Sequence, residues 1–315
     1  MALQTRNTQP STTNPPSRLP RFERVKHPPP MVVTGRDREI LRQVHAFRLM
    51  TREQIERLIF SCGIERPTRT SQVRKRLKLL YHHKYLERIP ASIGPGVWAW
   101  RPVYRLARAG AQLLALDLGV AAEELRYWGR GFDKDYRRTE ISALFLYHTL
   151  QMNDLRIAII LRAQTWGYSV DQWMDDAILR GEERKGNGAG LDRGDKMPVI
   201  PDAYCILNLG DRRAHFFLEL DRATMPIPRY QTKVTAYRAY VESGKYQARF
   251  QTRSLRILTV TTSQERLAHL KAAAEKDSGT PLFWFTTFDQ AVKDDLLSAP
   301  IWAASGQTSL HRLVA

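Results

Sequence analysis

Positive charge in this chain is concentrated at its front. The first 116 residues carry 22 Lys and Arg against 7 Asp and Glu, whereas the remaining 199 carry 27 against 25. The formal net charge of +17 therefore belongs almost entirely to one end. Clustered cations attract phosphates and displace the counterions condensed on them, so the front is an electrostatic footprint for a polyanion such as nucleic acid. At 315 residues, 43% hydrophobic and 26% charged, the chain has apolar material for two globular domains, each with its own core.

Cys62 and Cys205 are too few for a disulfide framework and lack the spacing of a zinc site, which points to a reducing compartment. The most apolar helical stretch, around Ile141 to Leu161, is interrupted by His148, Asn153, Asp154 and Arg156. These features predict a soluble, cytoplasmic protein with no membrane partner.

Residues 1–33 are rich in Pro, Thr, Ser and Asn and close on Pro28, Pro29 and Pro30, a composition that predicts a flexible, mildly basic arm. In it Arg18, Arg21, Arg24 and Lys26 are read either as phosphate contacts or as a solvated leader. Order begins at Thr34-Gly35-Arg36-Asp37, an acidic capping box followed by Ile40, Leu41, Val44 and Phe47 on one helical face. Thr51-Arg52-Glu53-Gln54 starts a second helix, stopped by Gly63 and Pro67. A third, from about Thr70 to Lys84, buries Val73, Leu77, Leu80 and Tyr81 and turns Ser71, Lys75, Lys78 and His82 the other way, with Gln72 and Arg74 on the flanks. A charged helix face is usually only solvated. Behind this one, however, Leu86-Glu87-Arg88-Ile89, a Gly94-Pro95-Gly96 turn and Val97 to Leu106 read as a hairpin, with a closing helix from Ala107 to Leu116. Residues 34–118 are thus expected to form a winged helix-turn-helix that binds double-stranded DNA. Trp98, Trp100, Tyr104 and Leu106 would pack inward, while Arg88, Arg101 and Arg105 join the third helix as phosphate contacts.

The second domain, residues 130–303, opens on a helix from about Tyr136 to Ala163, and a strand is expected from Tyr168 to Trp173. A Gly-rich loop follows over residues 181–198, without the spacing of a phosphate-binding motif. Strands Ala203–Leu209 and Arg213–Leu220 flank Gly210-Asp211 as an antiparallel hairpin. Counting outward from that turn sets Asp202 nearly opposite Glu219, with Asp221 two positions further along the Glu219 face. Asp202, Glu219 and Asp221 together would need protonation or a bridging cation, for which Mg²⁺ is the natural choice. In that reading all three are metal ligands of a phosphodiester-cleaving site, and Lys233, on the helix from about Pro228 to Val241, orients the attacking hydroxide. The alternative is that these carboxylates cap helices or pair with Arg212, Arg222 or Arg229. His148 reads more readily as a core histidine than as a ligand, and Glu140, on the same helix, as a weak further candidate. A strand from Leu255 to Thr261, a helix from Ser263 bearing Leu267 and Leu270, and an aromatic strand at Phe283, Trp284 and Phe285 complete the core.

The order helix, strand, Pro201-Asp202, strand, Glu219-Leu220-Asp221, helix, strand resembles the core of PD-(D/E)xK nucleases. Over about residues 34–303 the chain resembles the replication-relaxation family, through Pro102-Val103-Tyr104-Arg105-Leu106 and Gly110, the His148 helix, Pro201-Asp202, Phe217-Leu218-Glu219-Leu220-Asp221-Arg222 and Ile301-Trp302. The resemblance implies an α+β multidomain protein, a winged helix-turn-helix followed by an α/β nuclease-like domain. It further implies a bacterial plasmid or integrative element, a part in replication, relaxation or mobilisation, and other replication or mobilisation proteins as partners. Asp202 and Glu219 match the acidic positions of the nuclease motif. Asp221 stands where its lysine belongs, so an active site would use Lys233 as a migrated lysine, and the other expectation is a non-catalytic DNA-binding regulator or accessory scaffold with a degenerate nuclease fold.

Overall fold

The computed structural model describes residues 20, 23–60, 66–92, 100–125, 142–184, 200–276 and 281–314. The chain divides into two compact units, residues 1–140 and 141–315.

In the front unit, α1 (Gly35–Phe47) is started by a reciprocal cap. The Thr34 hydroxyl accepts from the Asp37 N–H at 3.3 Å while the Asp37 carboxylate accepts from the Thr34 N–H at 2.7 Å. Thr51 and Gln54 repeat the device at 3.1 Å in both directions to start α2 (Arg52–Ile59). Helix α3 (Arg66–His82) leads into β2 (Leu86–Ser92) and β3 (Trp100–Leu106), an antiparallel pair in which Leu86 faces Leu106. A two-residue strand before α2, β1 (Met50–Thr51), joins the other edge of β3, giving the order β1-β3-β2. Ile40, Leu41, Val44, Ile55, Val73, Leu77, Leu80, Leu86 and Val103 are fully buried between the helices and the sheet. Helix α4 (Arg108–Leu118) closes the unit at Gly110, where a Cβ would lie 2.2 Å from the Tyr85 carbonyl, so glycine alone permits this approach.

The expected arm is partly ordered. The Arg24 guanidinium donates to the carbonyls of Tyr81 at 2.9 Å and Leu86 at 3.0 Å and pairs with Glu87 at 2.8 Å. The His83 ring contacts the Pro29 carbonyl at 2.9 Å, and Arg76 donates to that of Val32 at 3.0 Å. Carbonyls at a helix end lack partners within the helix, so a cation of the preceding segment can dock there through polar contacts. Residues 1–19, with Arg18, and residues 21 and 22 lie outside the described residues, as do the Gly94-Pro95-Gly96 turn, Trp98, Cys62 and Glu140.

The rear unit is a seven-stranded sheet in the order β10-β9-β8-β7-β6-β5-β4. Its centre is parallel: β6 (Arg213–Leu220) pairs with β7 (Arg256–Thr261), and β7 with β8 (Phe283–Thr287). Parallel neighbours require crossovers. These are α7 (Ile227–Glu242) with the short α8 (Lys245–Phe250), and then α9 (Gln264–Glu275). Strand β5 (Ala203–Asn208) pairs antiparallel with β6 and β4 (Ser169–Asp175) antiparallel with β5, while β9 (Trp302–Ala304) and β10 (Leu310–His311) extend the other edge. On one face α5 (Ala143–Thr165) places Met152, Leu155 and Ile159 against Cys205, Phe216 and Leu218. On the other, Tyr230, Val234 and Tyr237 of α7 and Leu270 of α9 pack on Tyr204, Phe217 and Phe283. Helix α6 (Asp176–Arg184) occupies the start of the expected loop, whose residues 185–199 lie outside the described ones. A last helix, α10 (Phe288–Lys293), follows β8. Among the described residues no helix is long and apolar enough to cross a membrane.

Candidate functional site

Two groups of polar side chains stand out, one in each unit. In the front unit, α3 buries Val73, Leu77, Leu80 and Tyr81 and leaves Ser71, Gln72, Arg74 and Lys75 exposed, with Lys78 half-buried. Beside them Arg36 lies over the Phe60 ring at 5.0 Å, and a groove lined by Arg36, Phe60, Gln72 and Lys75 opens between α1, α2 and α3. Arg36 was missed by periodicity because it precedes the apolar stripe of α1; its signal is a cation in a first helical turn, where charge complementarity favours an acid.

His82 does not belong to this face. It is 2% exposed, its Nδ1 accepts from the Val25 N–H at 3.4 Å, and its ring meets Tyr81 edge-on. Burial, then Arg88, Lys78 and Arg24, hold its pKa below the ordinary histidine value. Arg88 is also turned from the outward position expected of it. Its guanidinium sits over the Tyr81 and Tyr104 rings, at 4.4 and 5.5 Å, and donates to the Leu77 carbonyl at 3.4 Å. Arg105 stands half-buried on β3 opposite Glu87, and the side chain of Arg101 lies outside the described residues. Among the described side chains of α3 the exposed cations are therefore Arg74 and Lys75, with Lys78 half-buried.

In the rear unit the register Ala203 opposite Leu218 brings Asp202 beside Glu219. Phe216 and Leu218 point to the α5 face and Phe217 to the α7 face, so Glu219 shares the α7 side by alternation. There the Lys233 ammonium pairs with one of its oxygens and the Tyr237 hydroxyl donates to the other. Asp202 accepts from the Leu220 N–H at 2.8 Å and lies 3.1 Å from His148 Nε2. Sequence periodicity thus locates Lys233, while His148 is more than the core residue expected of it.

The charges in this group oppose one another in pairs. Burial raises the pKa of Glu219, Asp202 raises it further, and Lys233 only partly offsets this, leaving the carboxyl above its usual range. Burial alone would lower Lys233, but Glu219 and Asp202 carry it above the ordinary lysine value. Asp202 is pushed up by burial and brought below the carboxylate norm by His148, Lys233 and the Leu220 N–H. His148, in turn, is held up by Asp202 against burial.

Asp221 does not join them. Its carboxylate accepts two hydrogen bonds from Arg266, both at 2.9 Å, and one from the Thr261 hydroxyl at 2.7 Å. Arg266 also donates to the Met225 carbonyl at 2.6 Å, so the pair fastens the turn between β6 and α7 to the start of α9. Among the described residues no three His, Cys, Asp or Glu side chains are grouped so that they could hold a metal ion. The expected Asp202, Glu219 and Asp221 set is therefore not brought together in this arrangement. Two of its carboxylates already face His148 and Lys233, and the third faces an arginine.

The profile of the family described as replication-relaxation matches residues 41–254, about two thirds of the chain. The chain belongs to the replication-relaxation family. The match takes in α3, the hairpin behind it, Asp202, Glu219 and Lys233. No curated protein matches the chain. A solved structure of the restriction endonuclease FokI bound to DNA is similar at 11% identity and a TM-score of 0.24, covering 81% of this chain and 43% of the other. The chain thus spans under half the length of that protein.

Proposed function

We propose that this replication-relaxation protein binds double-stranded DNA through α3 and acts in the replication, relaxation or mobilisation of a bacterial plasmid or integrative element. The observation that carries the reading is the exposed set Ser71, Gln72, Arg74 and Lys75 on one side of a helix whose other side is the core. In a winged helix-turn-helix such a helix enters the major groove, where its amide and cations meet base edges and phosphates. Arg36 adds a cation at the rim of the same face, and the surplus charge of the front supplies the long-range attraction. The test is a footprint on the element's own origin with full-length protein. Protection of a defined duplex segment supports the reading, and no protection at any concentration in low salt contradicts it.

The arrangement of Asp202, Glu219, Lys233 and His148 favours a second reading for the rear unit, cleavage of a phosphodiester. A buried lysine beside two carboxylates at a cavity is a combination of perturbed groups that active sites concentrate. Lys233 would stabilise charge on a phosphoryl oxygen, and Asp202 would hold His148 in place. Incubation of supercoiled plasmid, with and without Mg²⁺ or Mn²⁺, beside a Glu219→Ala control reads this directly. Nicked product that disappears in the variant supports cleavage. No product from either protein supports an accessory scaffold working with other replication or mobilisation proteins.

A further inference from the structure

The ordered part of the arm crosses α3 at a particular place. Ser71, Lys75, Lys78 and His82 form one row along the helix, because their spacing returns each side chain to nearly the same side. Ser71 and Lys75 are exposed and Lys78 half-buried, but the row is closed at its last position. There the Val25 N–H donates to His82 Nδ1 at 3.4 Å. The arm therefore lies across the end of the face that carries Lys75 and Lys78, one helical turn, roughly 6 Å, beyond Lys78.

Arg24 holds it there. Its guanidinium is committed to protein acceptors, the carbonyls of Tyr81 and Leu86 and the Glu87 carboxylate, and it lies 4.7 Å over the Tyr81 ring that Arg88 also approaches. Lys26, two residues on, is exposed, and among the described residues it pairs with no carboxylate. Its surroundings are cationic. Arg88, Lys78 and Arg24 all lie near enough to His82 to oppose its protonation, while of the acids here Glu87 is taken by Arg24 and Glu23 stands exposed. An exposed cation contributes little to folding, and one added to a basic surface is placed to meet a polyanion.

We propose that Lys26 is a further DNA contact of the front unit, meeting a backbone phosphate beside the groove that α3 enters, and that Arg24 is the residue that positions it. The inference rests on the duplex reading of α3 and deepens it, since the arm continues the contact where the row ends on the buried His82. The arm's cations divide by role, Arg24 inward as the anchor and Lys26 outward as the contact. Phosphate contacts of this kind fix the register of a protein on the duplex and carry no base sequence.

The test is fluorescence anisotropy of full-length protein on one duplex across a salt series. It compares Lys26→Ala, Arg24→Ala, the two combined, and Lys75→Ala with Lys78→Ala as the reference. Lys26→Ala is expected to weaken binding and to make the slope of log affinity against log salt shallower by about 0.9. Arg24→Ala should do the same by releasing the arm, and the combined variant should match either single one. An Arg24 with a merely structural role would leave the slope unchanged, and one that met phosphate itself would make the combined slope shallower by about 1.8. Either result overturns the positioning role. A Lys26→Ala slope equal to that of the parent overturns the contact, and this exposed variant decides it even if Arg24→Ala does not fold. Failure of the α3 reading looks different: the slope of Lys75→Ala with Lys78→Ala then also equals that of the parent, and the arm contact falls with it.

Discussion

The exposed face of α3 and the polar group of the rear unit handle charge in opposite ways. On α3, Arg74 and Lys75 project into solvent. In the rear unit Lys233 faces Glu219 and Arg266 faces Asp221, each pair largely withdrawn from water, and His148 faces Asp202 with both side chains half-buried. Exposed cations contribute little to folding and are free to replace the counterions of a polyanion. Buried pairs are different, since losing one partner leaves an uncompensated charge in a poor solvent. Charge substitutions on the exposed face of α3 should therefore change binding without changing stability, and those at the rear-unit pairs should do the reverse.

The largest effect is expected at Arg266. Its side chain is 13% exposed and that of Asp221 is 8%, and the two make paired hydrogen bonds. Arg266→Ala should lower the stability of the rear unit by about 3–5 kcal/mol, read by urea unfolding through the fluorescence of the buried Trp284 and Trp302. A loss near zero would show that the pair is solvated and would erase the contrast between the units. Next comes Lys233→Met, which leaves the buried Glu219 without its cation and should cost roughly 2–4 kcal/mol. Adding Glu219→Gln should restore at least half of that, because neither charge then remains. A double variant as unstable as the sum of the two singles would mean that the groups are not coupled.

Smaller effects follow from pH. Asp202 and Asp221 have folded pKa values below their ordinary ones, so their contribution is present above about pH 4 and is lost as pH falls through the lowered values. His148 is raised, so its contribution is complete below about pH 6.5 and is lost as pH rises through the raised value. His148→Gln should flatten the alkaline side of the stability profile and weaken the Asp202 part of the acid side, leaving the Asp221 part in place. His82 is lowered, which makes the neutral ring the favoured form, complete above about pH 6.5 and penalised as pH falls toward the lowered value. The protection of the Val25 N–H, which His82 accepts, measured against the intrinsic exchange rate at each pH, should accordingly fall as pH drops below about 6.5; unchanged protection would separate the docked arm from His82.

What was legible in the sequence divides along the same line. Local rules found the capped starts of α1 and α2, the apolar stripe of α3, and the register of Asp202 against Glu219, since each depends on residues a few positions apart or on counting from one turn. Lys233 followed from helical spacing. The rest depended on partners far along the chain. Arg266 is 45 residues from Asp221, and no spacing rule could choose it over Arg222 or Arg229. Likewise Arg24 lies 57 residues from the Tyr81 carbonyl it caps, so a stretch that reads as a loose leader is fastened from residue 24 onward. The burial of His82 follows from that docking and could not be read from α3 alone.

The central claim is that the exposed face of α3 sits on duplex DNA. Each phosphate that a lysine no longer neutralises should reduce the slope of log affinity against log salt by about 0.9. For Lys75→Ala combined with Lys78→Ala, measured by fluorescence anisotropy on one duplex across a series of salt concentrations, the account predicts weaker binding and a slope shallower by about 2. A slope identical to that of the parent protein would contradict it.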